Sequence, residues 1–500
     1  MKRLIILLHR YIGIPMSVVF VVWFVSGIVM IYAGGMPALT SAERLRGQGP
    51  IDFDAIALSP AEAATRADID GAISEFSLHT MFGRPAYQIG RGFGPSMTVF
   101  ADSGEIFDGA DQEQALAESA RFLGQPVTAL TFAGTVSEPD QWTLTQRQSL
   151  PLERFDVDDG SGTRVYFSMG TGRVELVTDR RSRALAWAGT IPHWFYFTPL
   201  RLNQPLWYWT VVWVSVIGCV MAILGIVLAF TQFRRSKPFR LSASIRYRGW
   251  MRWHYYTGAL FGLFAMTWAF SGLMSMEPFD WTSAEGMRLP QNNLQGGVLE
   301  LDRYPVDNAA LASVDAFAGQ APYEVELIRI QGQPWLSASL APAGEPVRTR
   351  LIDPASFEMR TEPFPAESIL DELERTVTDA GIAEHAVLDA YDGYYYAQDS
   401  AAPLPVLRVK FDDPADTWYY FDLMTSRPVA ANHRLARIER WLFSGLHSLD
   451  FAFWYNRRPL WDIGMIVLSL LLFGGGSGAM GVLQFFFSCK MAGVWYPKKN

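Results

Sequence analysis

Two cysteines in 500 residues, Cys219 and Cys489, leave no disulfide framework to read. Both fall in or beside apolar runs, so any exported part folds without a disulfide even in an oxidising compartment. No Cys-x-x-Cys-His occurs, which excludes haem attached through thioethers. The short cationic segments hold no Gly-x-Gly-x-x-Gly or other nucleotide signature, so an electron or phosphate donor site of that kind is not expected in them. Histidine is scarce, at seven copies, and the net charge of −8 argues against nucleic acid as a partner.

What is abundant is apolar and aromatic: half of the chain is hydrophobic, with 17 Trp and 33 Phe. Four runs pass the test of about 18 residues for a spanning helix, near residues 12–33, 206–230, 255–276 and 460–487. The first lacks a small-residue cleavage site soon after it and reads as a retained helix. Cations fix the direction. Lys2, Arg3 and Arg10 precede the first run, seven Lys and Arg residues from Arg234 to Arg252 join the second to the third, and Lys490, Lys498 and Lys499 follow the fourth. None of the 50 acidic residues lies in these segments, so both termini are expected in the cytoplasm. The expected division is a first span at 1–33, an outward domain with a membrane-returning segment at 34–205, a second span at 206–233 and a basic cytoplasmic linker at 234–252. A third span at 253–276, a second outward domain at 277–458, a fourth span at 459–487 and a cytoplasmic tail at 488–500 complete it.

The chain is written twice. At an offset of 245, His9 meets His254, Gly13 meets Gly258, Trp23 meets Trp268 and Ser26-Gly27 meets Ser271-Gly272. At an offset of 254, Arg154, Tyr166-Phe167, Arg173, Trp187 and His193 meet Arg408, Tyr420-Phe421, Arg427, Trp441 and His447. Each half is therefore span, outer domain, span, and an even number of crossings makes the repeats parallel about an axis along the membrane normal. The outer domains read as mixed α and β. Ser59 is positioned as a helix cap, Asp111 to Gly124 reads as an amphipathic helix ended by glycine, and "AISEFSLHTM", "PAYQIGRG" and "SMTVFADSGEIFDG" read as strands. The expected fold class is an α+β integral membrane protein with four helices in two pseudo-symmetric repeats.

Four of the seven histidines take part in the repeat. His9 and His254 sit at the cytoplasmic mouths of the first and third spans; His193 and His447 lie just outside the second and fourth. One such histidine alone reads as an interfacial side chain bonded at the headgroups. Two pairs facing each other across one axis are what a six-coordinate haem iron needs, giving two haem b groups held by His9 with His254 and by His193 with His447. Zinc would lack ligands at either level, and a proton relay would want carboxylates within the spans. Gly13 and Gly258, one turn beyond their histidines, admit a flat macrocycle or simply close helix packing. Arg10 and Arg201 are candidates for holding propionates, or are headgroup anchors. Two filled axial positions favour electron transfer over oxygen binding.

The arrangement resembles the PepSY-associated transmembrane family, on Leu8-His9-Arg10 with Gly13, Trp253-His254 with Gly258, the hairpins "YFSMGTGRV" and "YFDLMTSRPV", and the His193 and His447 segments. The second copy departs in Tyr255, where the first has Arg10, and in a hairpin without the Thr-Gly pair. The resemblance implies two periplasmic PepSY-like domains in a bacterial inner-membrane protein of the ferric-siderophore reductase type. Its partners would then be a ferric chelate, the bilayer, and a quinol or flavoprotein donor. It also leaves open a membrane-anchored PepSY regulator or binding protein without redox activity.

Overall fold

The computed structural model describes residues 2–69, 73–91, 96–238, 240–245, 247–283, 286–290, 294, 297–304, 321–396 and 402–472. The chain divides into two compact units, residues 1–36, 181–283 and 435–500 in one and residues 37–180 and 284–434 in the other.

Helices make up the first unit. Among the described residues, three are long and apolar enough to cross a membrane: α1 (Lys2–Ala33), α2 (Gln204–Gln232) and α3 (Trp250–Met274). Their runs of Val, Leu, Ile, Phe and Trp can be buried in lipid because a helix satisfies every backbone group within itself. Asn203 caps α2 by accepting from the Leu206 amide at 3.2 Å. A fourth apolar helix, α4 (Leu460–Leu471), is 12 residues long, about 18 Å at the helical rise. The rest of the expected fourth span, with the glycine run at 474–481 and Cys489, lies outside the described residues. Met16, Phe20 and Phe24 of α1 pack with Met221 of α2, Ala265 and Ala269 of α3, and Leu468 of α4 into one apolar interior. Small residues on α3 let large aromatics of α1 fill the shared space. Asp462, in the first turn of α4, pairs with Arg458 at 2.5 Å and accepts from the Tyr32 hydroxyl of α1 at 3.3 Å.

The second unit is built on antiparallel sheets. Strands β1 (Ile73–Met81), β2 (Arg84–Arg91) and β3 (Met97–Phe100) form one meander; β8 (Glu324–Ile330), β9 (Gln333–Leu340) and β10 (Arg348–Ile352) form another. The meanders join through β1 and β8 in a six-stranded sheet, order β10-β9-β8-β1-β2-β3, along a seam that pairs Ser77 with Glu326, Leu78 with Val325 and His79 with Glu324. Two four-stranded sheets have the same order. The first runs β4 (Leu130–Val136), β5 (Leu152–Val157), β6 (Arg164–Ser168), β7 (Arg173–Thr178); the second runs β11 (Ile382–Leu388), β12 (Val406–Phe411), β13 (Trp418–Asp422), β14 (Arg427–Asn432). Their shared pattern reaches single residues: Arg154 stands opposite Tyr166, and Arg408 opposite Tyr420.

Helix Pro60–Arg66 begins at Ser59 and helix Gln112–Leu123 at Asp111, each with a reciprocal capping box, and Gly124 ends the latter in the left-handed region. The second hairpin lacks the Thr-Gly pair without losing the turn. Ser426 there takes φ +53°, where Gly172 in the first hairpin takes φ +65°.

The segment beginning Asp392 is described as far as Tyr396. Its aspartate accepts from the amides of Tyr394 and Tyr395 at 2.8 and 2.7 Å, from Arg408 at 3.1 Å and from the Tyr420 hydroxyl at 3.0 Å, while Tyr395 stacks on Tyr420 at 4.9 Å. This is a packed corner. Asp392→Ala strips four donors of their acceptor and is expected to destabilise the unit by about 3 kcal/mol, read from denaturant unfolding of the full chain.

Candidate functional site

Histidines from separate helices meet twice in the helical unit. The His9 ring of α1 lies 6.2 Å, centroid to centroid, from the His254 ring of α3, with the planes at 35°. The His193 and His447 rings are 6.0 Å apart with the planes at 81°.

Local structure explains how each ring is held. His193 ends a four-residue helix, Thr190–His193, and its main-chain carbonyl accepts from the Trp23 indole of α1 at 3.1 Å. His447 follows one turn of π-helix, Trp441–Gly445, a wide turn that recurs at functional sites. Two residues after each of these histidines the backbone takes a left-handed turn at a bulky residue, Phe195 at φ +53° and Leu449 at φ +50°. Such a conformation costs about 1–3 kcal/mol and persists only where packing imposes it. Phe195 sets its ring edge-on to Trp23 at 6.1 Å, and Leu449 packs on the bundle interior.

Hydrogen bonds then select the tautomer. His9 Nδ1 lies 3.2 Å from the Met221 carbonyl of α2, which can only accept, so Nδ1 carries the proton. His193 Nδ1 is 2.9 Å from Ser26 Oγ, and that hydroxyl donates to the Val22 carbonyl at 2.5 Å, so it too must accept from the ring. His447 repeats the pattern with Ser271 at 2.9 Å, whose hydroxyl donates to the Trp268 carbonyl at 3.0 Å. In these three rings Nδ1 is committed and Nε2 keeps its lone pair, the arrangement of a metal-binding imidazole.

The ring spacings discriminate between geometries. An imidazole nitrogen sits about 2.0–2.1 Å from a transition metal and the ring centre about 1.2 Å behind it, so two rings on opposite sides of one ion stand about 6.5 Å apart and two ligands of a tetrahedron about 5.3 Å. The observed 6.2 and 6.0 Å lie nearer the opposed value than the tetrahedral one. Among the described residues, no group of three or more His, Cys, Asp or Glu side chains converges on a metal position.

Glycines border both pairs. A Cβ at Gly13 or Gly258 would meet nothing within 4 Å, so open space lies beside the helix one turn beyond His9 and His254. A Cβ at Gly225 would come within 2.9 Å of the His9 ring, one at Gly27 within 3.6 Å of His193, and one at Gly272 within 4.0 Å of His447. These three back the rings. Arg201 is half-buried, its guanidinium 4.4 Å from the Trp207 ring centre and 5.1 Å from that of Tyr196, and Arg10 is exposed on α1. Ser26 lies 17 residues after His9, and Ser271 17 after His254, which separates the two levels by about 26 Å along each helix. Phe20, Phe24 and Trp268 occupy the interval, with Phe24 stacked on Phe20 at 5.6 Å and tilted against Trp268 at 5.6 Å.

Sequence reasoning named the four histidines and two of the glycines but gave no role to Ser26, Ser271, Gly27, Gly272 or Gly225. The signal for four of them was the Ser-Gly dipeptide recurring in both halves at the offset of the first histidine pair. Gly225 left none, because it backs His9 from a helix distant in sequence.

Apolar spanning helices and antiparallel sheets define an α+β membrane protein with paired histidines inside its helical unit. The chain belongs to the family of the PepSY-associated TM region, which it matches over residues 6–477. No curated protein matches it.

Proposed function

We propose that the protein is a transmembrane electron carrier with two b-type haems, one between His9 and His254 and one between His193 and His447, that reduces ferric iron in a chelate such as a siderophore. The observation that carries the reading is the pairing: two sets of opposed imidazoles near 6 Å, with Nδ1 tied off in the three rings whose bonds are described. Haem held by these histidines would supply one-electron redox chemistry. The chain's own residues do the rest. Met221, Ser26 and Ser271 fix ring orientation, Gly13 and Gly258 leave room for a macrocycle, the interior between the levels excludes water, and Arg201 and Arg10 are cations available to propionates.

The finer architecture belongs to the same proposal: four spans in two parallel repeats, both termini cytoplasmic, the sheet-bearing unit periplasmic, and the chain in a bacterial inner membrane. Equal sheet orders, equal 17-residue spacings and matching Ser–His bonds support the repeats. Cations flanking the spans support the orientation. A quinol or flavoprotein supplies the electron on the inner side, and the Fe³⁺ that receives it outside becomes Fe²⁺, which hard oxygen ligands hold less well.

Purified protein is expected to be red, with a low-spin b-type spectrum on dithionite reduction and reoxidation by a ferric siderophore. A colourless preparation from haem-replete cells, with the fold intact by circular dichroism, would overturn the reading and favour a PepSY regulator. Gly225→Ala places a methyl against the His9 ring and is expected to shift the spectrum of the inner centre while leaving the outer one in place.

A further inference from the structure

Buried serines in apolar helices ordinarily satisfy themselves by donating to a carbonyl one turn back. Ser17 of α1 does this and no more: it is 2% exposed and donates to the Ile14 carbonyl at 2.7 Å. Ser26 and Ser271, 1% and 0% exposed, make the same kind of backward bond and in addition receive a histidine Nδ1–H at 2.9 Å. A hydroxyl has one proton, and one given to the carbonyl of Val22 or Trp268 leaves the oxygen to accept from the ring. An imidazole beside such an oxygen is held as the Nδ1–H tautomer. The neighbouring Gly27 and Gly272 bring the helix backbone against the same ring edge, with an added Cβ only 3.6 and 4.0 Å from Cε1.

We infer that Ser26 and Ser271 are positioning residues, which lock His193 and His447 with Nε2 unprotonated and thereby set the ligand strength of the outer centre independently of the inner one. The inference rests on the proposed haem sites for its redox consequence, and on the protein alone for the tautomer. Its chemistry is that of an outer-shell acceptor: a bond from Nδ1–H raises the basicity of Nε2 and strengthens its hold on a metal. Inside the protein His9 is served differently, by a main-chain carbonyl that no side-chain substitution removes. Both rings of the outer pair depend on hydroxyls.

The test has two readouts. In full-length protein prepared without haem and labelled with ¹⁵N-histidine, His193 and His447 are expected to show the Nδ1–H pattern of ring shifts; Ser26→Ala should move His193 alone to a tautomer mixture, and Ser271→Ala should do so for His447. In protein loaded with haem, each substitution should weaken retention at the outer centre by about 10–100-fold and raise its midpoint potential. The inner centre should keep its potential, Ser17→Ala should change neither centre, and Ser26→Thr, which restores the hydroxyl, should restore the outer values. Unchanged ring shifts in both alanine variants would overturn the inference whether or not haem binds. Equal movement of both centres would also overturn it, since it would mark a general loosening of the bundle. Absence of haem from wild-type protein would instead defeat the proposed function, and the tautomer readout would still judge the serines.

Discussion

Replacing His9 or His254 with alanine is expected to halve the haem content of the purified protein, from about two per chain to about one, leaving the spectrum of the outer centre unchanged. His193→Ala and His447→Ala should do the reverse. In the proposed sites each ring would be one of two protein ligands to the iron, which a single imidazole would hold poorly. Independence follows from distance, since about 26 Å of helix lined with Phe20, Phe24 and Trp268 lies between the levels. Pyridine haemochrome assay and reduced-minus-oxidised spectra of the four variants measure it. Loss of both centres from one substitution would contradict separate sites, and full haem content in all four would show that these rings are not the ligands.

The second large effect concerns His79 of β1, which stands opposite Glu324 across the seam of the six-stranded sheet. The ring is 1% exposed, and its Nε2 lies 3.0 Å from Arg173 Nη2, a group that can only donate. His79 is therefore neutral in the folded protein; burial first, and the Arg173 charge second, push its pKa down to about 3. An unfolded chain protonates the same ring near 6.5. Between those values the unfolded state binds a proton that the native state refuses, so stability falls as pH drops, by about 1.4 kcal/mol per pH unit. Relative to His79→Gln, wild-type protein should lose about 3 kcal/mol between pH 6.5 and 4, read from chemical unfolding of the full chain in detergent. Glu324, raised by its own burial, titrates in both proteins and cancels in the comparison. A difference that does not vary with pH would exclude a buried neutral histidine.

Much of this was legible in the sequence because it depends on local pattern. Ser59 and Gly124 bound their helices through contacts within a few residues, and apolar runs of about 20 residues have few soluble alternatives. The repeat paired the four histidines for the same reason, since an offset is visible without a fold. What stayed hidden depends on contacts between distant segments. The seam joining β1 to β8 links residues almost 250 positions apart, and nothing in either strand's alternation marks its partner. Met221 serves His9 through its main chain, where side-chain identity carries no trace. Ser426 holds a left-handed turn in place of glycine, so the departure at the second hairpin is one of composition and not of shape.

The equal intervals from His9 to Ser26 and from His254 to Ser271 make α1 and α3 a matched pair of rulers. One inserted residue in either would advance everything beyond it by about 1.5 Å and swing it through about 100°. A serine so displaced would face away from its imidazole. Length variation is thus barred from these two stretches, while the loops of the sheet-bearing unit stay free to grow or shrink.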